Sequence, residues 1–217
     1  MSCVLFGASL LVAGLLVCLS PLLVGWDRHR IQHRVDSGLV PQAIIFRLSA
    51  VFTIIILKWF LKRRGDTFKA LGFGSLRLSA FWQAVAGFLV YFASYLVIIS
   101  LTKALLPALD LEQQQDLGFS INGGASLPLL FLSLVIVPPL LEEVMMRGFL
   151  FSGLRTKLPF LAAALGTSAL FAAAHLPEGK GGLLWVGAID TFVLSVVLCF
   201  MRETTGSLWP GLFVHAI

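Results

Sequence analysis

Charge is scarce in this 217-residue chain: Asp, Glu, Lys and Arg together make up 12%, about half the share of an ordinary soluble domain. Hydrophobic residues make up 58%, and the mean hydropathy is +0.94. A soluble fold of this size leaves too much of its chain near water to hide that much apolar surface. This excludes a water-soluble enzyme, a disordered tail and a collagen-like fibre. Cysteine is also scarce. Cys3, Cys18 and Cys199 lie far apart in or beside apolar runs, so they read as small buried hydrophobes rather than a bridge or a metal site. That excludes a disulfide-stapled secreted module. Short alternating segments are missing as well, which argues against a membrane β-barrel.

What is present are long uncharged runs. The expected class is all-α, a polytopic transmembrane helix bundle of six full spans plus a truncated seventh. Residues 1–26 carry no charge and no basic n-region, so they read as a first span over about 3–26 rather than a signal peptide. A polar turn runs from Asp27 to Gly38. The second span covers about 39–61, with Arg47 inside it, and ends in Lys58, Lys62, Arg63 and Arg64. The third covers 78–102. A polar stretch, about 107–125, holds Glu112 to Asp116 and reads as a solvated loop. A long helical stretch, about 126–155, contains Pro138-Pro139 and then Glu142-Glu143. The fifth and sixth spans cover about 158–176 and 182–202. The last apolar segment, Ser207 to Ile217, has 11 residues, about 16 Å of helix, too short for a bilayer core of about 30 Å. The chain is therefore expected to be a shortened version of a longer one, or else to end in a half-helix buried in a bundle. It reads as a single membrane domain, 1–217, with N-terminal helices (1–125) that carry no signature and a C-terminal core over 126–217.

The net charge is +5, from 16 Lys and Arg against 11 Asp and Glu. With no aromatic-plus-basic pattern, nucleic acid is not an expected partner, and the excess reads as loops touching anionic lipid heads. One set of alternate connections holds Lys58, Lys62, Arg63, Arg64, Lys69, Arg77, Arg155, Lys157 and Arg202. The other holds only Arg28, Arg30, Arg34, Lys103 and Lys180. The positive-inside rule places the first set, and the N-terminus, in the cytoplasm.

Ionisable groups within a membrane cost about 2.5–3.5 kcal/mol each at the helix centre and need compensation. Glu143 and Arg147 are four apart on one helical face, in the favoured order for an ion pair. Glu142 points about 100° away and has no such partner, which makes it the sharper functional candidate. Pro138-Pro139 breaks the hydrogen-bond ladder upstream, and a kink there would open a wet cavity beside the carboxylates. Phe171 and His175 share a face on a helix rich in Ala, Gly and Ser, the composition of close-packed membrane helices. His215 is an isolated polar group in an apolar helix. Glu142, His175 and His215 would suffice for a catalytic zinc. They would equally serve without metal, with Glu142 as base on a water and the histidines as proton donor or oxyanion stabiliser. Residue types do not decide between these. Arg47 reads as structural. Asp190, in mid-sixth span, either orients a histidine or bonds a neighbouring hydroxyl.

Three motifs occur in order: Glu142-Glu143-x-x-x-Arg147, Phe171-x-x-x-His175 and Trp209-Pro210-Gly211-x-x-x-His215. Together they resemble the CPBP family of CAAX proteases and bacteriocin-processing (Abi) proteins, whose eukaryotic relatives are the type II CAAX prenyl endopeptidases. The resemblance covers about 125–217. It implies an intramembrane protease, glutamate-type or metal-dependent, acting on a membrane-associated peptide or protein. In that reading Glu142 activates water with His175, Glu143 and Arg147 complete the first motif, and His215 helps hold the oxyanion. It implies an integral, multi-pass protein of a bacterial or archaeal cytoplasmic membrane. The family's last motif reads His-x-x-x-Asn or His-x-x-x-Asp, and its final member would fall two residues past Ile217. The competing readings are a non-catalytic scaffold or bacteriocin self-immunity protein of the same fold, and a small-molecule transporter. The transporter reading lacks the paired inverted halves with broken helices that it would need.

Overall fold

The computed structural model describes residues 51, 54–59, 61–63, 65–115, 131–180 and 182–216. The expected first span, the Asp27–Gly38 turn, Arg47, Cys3, Cys18 and the segment 117–130 lie outside them. By contacts the chain divides into two compact units, 1–67 with 117–141, and 68–116 with 142–217. In the first unit residues 54–59 and 61–63 are helical, and the Arg63 guanidinium stacks on Trp59 at 4.3 Å.

Five helices follow along the chain: α1 (Leu78–Leu105), α2 (132–155), of which residues up to 141 belong to the first unit, α3 (Phe160–His175), α4 (Trp185–Thr205) and α5 (Trp209–His215). No strand forms among the described residues; the only extended pairings are isolated bridges near residues 115 and 179–182. The all-α expectation therefore holds. Three helical segments are long and apolar enough to cross a membrane: Leu78–Leu105, Phe160–Glu178 and Trp185–Thr205. They correspond to the expected third, fifth and sixth spans. The first span and most of the second fall outside the described residues. The expected fourth, α2, is helical throughout 132–155 but does not qualify as such a segment, and α5 has seven residues.

The second unit is built by helices meeting through small residues. On α1 the buried positions are Ala80, Ala84 and Gly87, one stripe at i, i+4 and i+7. A Cβ on Gly87 would come within 2.5 Å of the Met201 sulfur, so the missing side chain lets α4 approach. Ala84 joins Leu194, Val197, Leu198 and Met201 of α4 and Val214 of α5 in one core, with Phe88 and Tyr91 against it. The opposite face of α1 leaves Leu78, Trp82, Leu89, Val90 and Val97 more than half exposed, a surface suited to lipid rather than water. On α3, Ala163 and Ala164 meet Phe151 of α2 and Cys199 of α4, again through residues small enough for close helix contact.

The prolines act differently from the expected kink alone. Pro138 and Pro139 lie within a seven-residue α segment, Val137–Glu143. On either side the helix widens to π geometry, over Leu132–Ile136 and Val144–Phe151. Proline lacks an N–H to close the ordinary turn, and π turns are one way a helix absorbs such a break, frequently at functional sites. The Arg147 carbonyl takes a 2.8 Å bond from the Ser152 hydroxyl, five residues on.

α4 ends at Gly206, whose φ of 65° is left-handed and whose N–H returns 3.0 Å to the Arg202 carbonyl. This is the usual glycine stop. α5 begins three residues on, with Pro210 in its first turn, where proline costs no hydrogen bond. Its start is tied to the turn after the short 3-10 helix Phe68–Leu71. Leu208 N–H donates to the Gly72 carbonyl at 3.1 Å. The Trp209 indole N–H donates to the Gly74 carbonyl at 2.9 Å, and its ring meets Phe73 edge-on.

The described part of the polar stretch expected as a solvated loop, residues 112–115, is largely exposed yet tethered. Gln113 Oε1 accepts the Trp185 N–H at 2.8 Å, a donor at the start of α4 that also reaches the Leu183 carbonyl at 3.1 Å. The Gln114 carbonyl accepts from Lys180 N–H at 2.9 Å, and Gln115 donates to Glu178 at 2.9 Å.

Candidate active site

Glu143, last of the α segment of α2, and Arg147, in the π segment that follows, meet across one turn. Arg147 Nη1 lies 2.9 Å from Glu143 Oε1, with both side chains buried, 0% and 1% exposed. This is the ion pair that the four-residue spacing predicts. The guanidinium also lies 4.8 Å over the Phe171 ring, so α3 supplies a second, cation–π contact.

α5 delivers His215 into the same region. Its Nδ1 is 3.2 Å from Glu143 Oε1, and its Nε2 is 3.3 Å from Glu142 Oε2. The imidazole thus faces a carboxylate oxygen from each ring nitrogen. A neutral imidazole has one N–H, so the group of three must hold one further proton to make both contacts hydrogen bonds. The two glutamates differ in access. The Glu142 side chain is 32% exposed, whereas Glu143 is 1% exposed. Adjacent positions on a helix face different ways, so one carboxylate is fixed inside and the other meets the open side.

His175 closes α3. Its Nδ1 is 2.8 Å from the Phe171 carbonyl. A carbonyl only accepts, so Nδ1 carries the proton and Nε2 is the unprotonated nitrogen of the neutral ring. Phe171 sits between the groups. Its ring centroid is 4.5 Å from that of His175 and 5.8 Å from that of His215, edge-on in both cases.

All five residues singled out in the sequence, Glu142, Glu143, Arg147, His175 and His215, therefore belong to one cluster linked by direct contacts or through Phe171. The nearest partner of Glu142 is His215; the contacts of His175 are with Phe171. No three His, Cys, Asp or Glu side chains among the described residues are placed to share a metal ion. Glu142, His175 and His215 as arranged do not form the three-ligand zinc set.

Three contributors escape sequence reasoning. Gly211 abuts Glu143: a Cβ there would lie 2.9 Å from Glu143 Oε2 and 3.4 Å from Leu198 Cδ2. Gly148, one residue past Arg147, is buried at 3.2 Å, by the same measure, from the Leu71 carbonyl. Tyr91 of α1 donates its hydroxyl proton to Asp190 Oδ1 of α4. Asp190 thus bonds a neighbouring hydroxyl, one of its two expected roles. The Trp-Pro-Gly run flanking His215 was the available signal for Gly211. For Tyr91, set in an aromatic stretch of α1, there was none.

Residues 124–217 match a protein-family profile described as Rce1-like, the type II CAAX prenyl endopeptidase Rce1-like family. The match spans the three motifs and every residue of the cluster, and it relates this part of the chain to the CAAX proteases. No curated protein and no solved structure matches significantly. The three helices long and apolar enough to cross a membrane and this match over 124–217 together support an integral membrane protein.

Proposed function

From the family relationship of residues 124–217 we propose that this chain is an intramembrane endopeptidase. It hydrolyses a peptide bond near the terminus of a membrane-associated protein or peptide, with a water activated by glutamate and histidine. Glu142 is the general base. It takes a proton from the water, whose oxygen bonds to the scissile carbonyl carbon. The C–N bond then breaks, and the proton passes to the leaving amine. His215, held at Nδ1 by Glu143, turns its Nε2–H from the Glu142 carboxylate, as that takes up the proton of the water, toward the developing oxyanion. His175, with Nδ1 occupied by the Phe171 carbonyl, offers Nε2 to the water. Glu143 and Arg147 are the frame, fixing His215 from behind.

The observation that carries this reading is the asymmetry of the two glutamates around one imidazole. The buried one is ion-paired, and the other is open to an incoming water. A base must reach the proton it removes within about 2.6–3.2 Å or through one water, and only Glu142 has such an approach. The test compares membranes of a host carrying the gene with a deletion strain, reading the ends of membrane-associated peptides and proteins by mass spectrometry. Peptides shortened only when the gene is present support hydrolysis. Identical ends in both strains, with a phenotype restored equally by a Glu142→Gln copy, would replace the protease with a scaffold of the same fold.

A further inference from the structure

Three hydroxyls inside the helix bundle have no place in the scheme above. Thr167 and Ser168 of α3 and Ser195 of α4 are fully buried, and their oxygens have no hydrogen-bond partner among the described residues. Other helix hydroxyls bond their own backbone. Ser100, Thr102, Thr191, Thr204 and Thr205 each donate to the carbonyl four residues back, the usual outlet for such a group. The three buried hydroxyls forgo it. Arg147 adds to them. Its guanidinium is fully buried, and Glu143 meets only Nη1. Nε and Nη2 have no hydrogen-bond partner among the described residues.

Contacts between the helices bring these groups to one level. α3 and α4 meet where the Leu184 N–H donates to the Leu176 carbonyl at 2.8 Å. They meet again where Ala163 and Ala164 pack with Cys199, so they run antiparallel. Ser168 lies one turn from Ala164, and Ser195 one turn from Cys199, both toward the Leu176–Leu184 end. α2 adds Phe151 to the Ala163, Ala164 and Cys199 cluster. Four residues earlier, it sets the Arg147 guanidinium 4.8 Å over Phe171. Thr167 and Ser168 lie between those two contacts along α3. The Cys199 thiol interacts with both Arg147 and Ser168, consistent with that placement.

In hydrocarbon, each of these groups must be satisfied within the protein. A guanidinium only donates, and sulfur accepts weakly. The hydroxyl oxygens are the natural acceptors, yet none stands within direct hydrogen-bond reach. Polar groups that share a level beyond that reach are joined by a molecule that both accepts and donates, and water does this in protein interiors. We propose that α2, α3 and α4 enclose a buried water site, with on the order of one or two molecules bridging the Arg147 guanidinium to Thr167, Ser168 and Ser195. This water completes the solvation of Arg147 that Glu143 begins, and it is separate from the water that reaches Glu142. The site goes beyond the hydrolase reading and is required whether or not the chain cleaves a peptide.

The test is X-ray hydroxyl-radical labelling of the whole chain in detergent, read by peptide mass spectrometry against an unirradiated sample. Each residue's rate is divided by its rate in the denatured protein. Radiolysis converts a held water into a radical that oxidises the nearest side chain, so a buried residue is labelled where water is bound beside it. Cys199 and Phe151 flank the site, and Leu208, equally buried, is the control. Cys199 and Phe151 should be labelled several-fold above Leu208. Ser168→Ala/Ser195→Ala and Thr167→Val should each lower that labelling several-fold, and Thr167→Ser, which keeps the hydroxyl, should preserve it. The wild-type comparison needs no variant to fold. Cys199 and Phe151 as protected as Leu208 would overturn the proposal. So would labelling that the folded Ser168→Ala/Ser195→Ala variant leaves unchanged.

Discussion

The α-carbon of Gly211 rests against the Glu143 carboxylate, so closely that a methyl group there would sit 2.9 Å from Oε2. The glycine of the Trp-Pro-Gly run is thus a steric requirement of the ion pair on another helix. The carboxylate is the end of a flexible side chain, but Arg147 and His215 both hold it, and Leu198 closes the other side. Gly211→Ala should therefore destabilise the protein by about 1–3 kcal/mol, the usual range for overpacking. It should also lower hydrolysis more than its stability loss explains, because His215 moves with Glu143. Thermal unfolding and turnover of the folded fraction, measured together, check this. An alanine variant with wild-type values in both would mean that the helices part without cost.

The two adjacent glutamates should respond unequally to removal. Glu143→Ala leaves the Arg147 guanidinium buried over the Phe171 ring without its carboxylate partner, and breaking a buried pair from one side costs about 3–5 kcal/mol. Glu142→Ala removes a partly exposed group and should cost less than about 1 kcal/mol, as for exposed sites in general. Folded yield and melting temperature in detergent separate the two. Equal losses would contradict a structural role confined to Glu143.

Phe171 touches Arg147, His175 and His215 and is itself buried. Phe171→Leu keeps an apolar side chain but gives up the ring face and the edge contacts. A loss of about 1–2 kcal/mol in stability is expected from the cation–π term and the imperfect fit. Turnover should fall by at least tenfold, because both histidines lose their common support. Stability and turnover both at wild-type level would show that the ring only fills space.

Trp209→Phe tests the tie between α5 and the Gly72–Gly74 turn. The ring contact with Phe73 survives, but the hydrogen bond to the Gly74 carbonyl does not. The expected cost is about 0.5–1.5 kcal/mol, with faster amide exchange along α5. Exchange unchanged in α5 would place its anchor elsewhere.

Much of this was legible where it depended on local period. The uncharged runs mark α1, α3 and α4 to within a few residues, and four-residue spacing alone pairs Glu143 with Arg147. What the sequence could not disclose is which faces meet. Glu142 contacts His215 on α5 rather than His175 on α3, a choice made by helix crossing and by the missing side chain of Gly211. Tyr91 looks like one more lipid-facing aromatic until α4 places Asp190 opposite. The two prolines announce a disturbed helix, but its form, π turns on both sides of an α segment, depends on how the backbone restores its hydrogen bonds. Gln113 to Gln115 reads as solvated because its partners lie more than 60 residues away.

The central claim is that Glu142 takes the proton from water, and one substitution addresses it most directly. Glu142→Gln preserves shape and most hydrogen bonding but cannot accept that proton. The measurement is single-turnover cleavage of a terminus identified as the processed product, in membranes, for wild type and Glu142→Gln at equal folded amounts. The account predicts a loss of about 10²–10⁴-fold, the usual worth of a general base, with an unchanged melting temperature. Glu142→Gln processing its substrate at near the wild-type rate would contradict it.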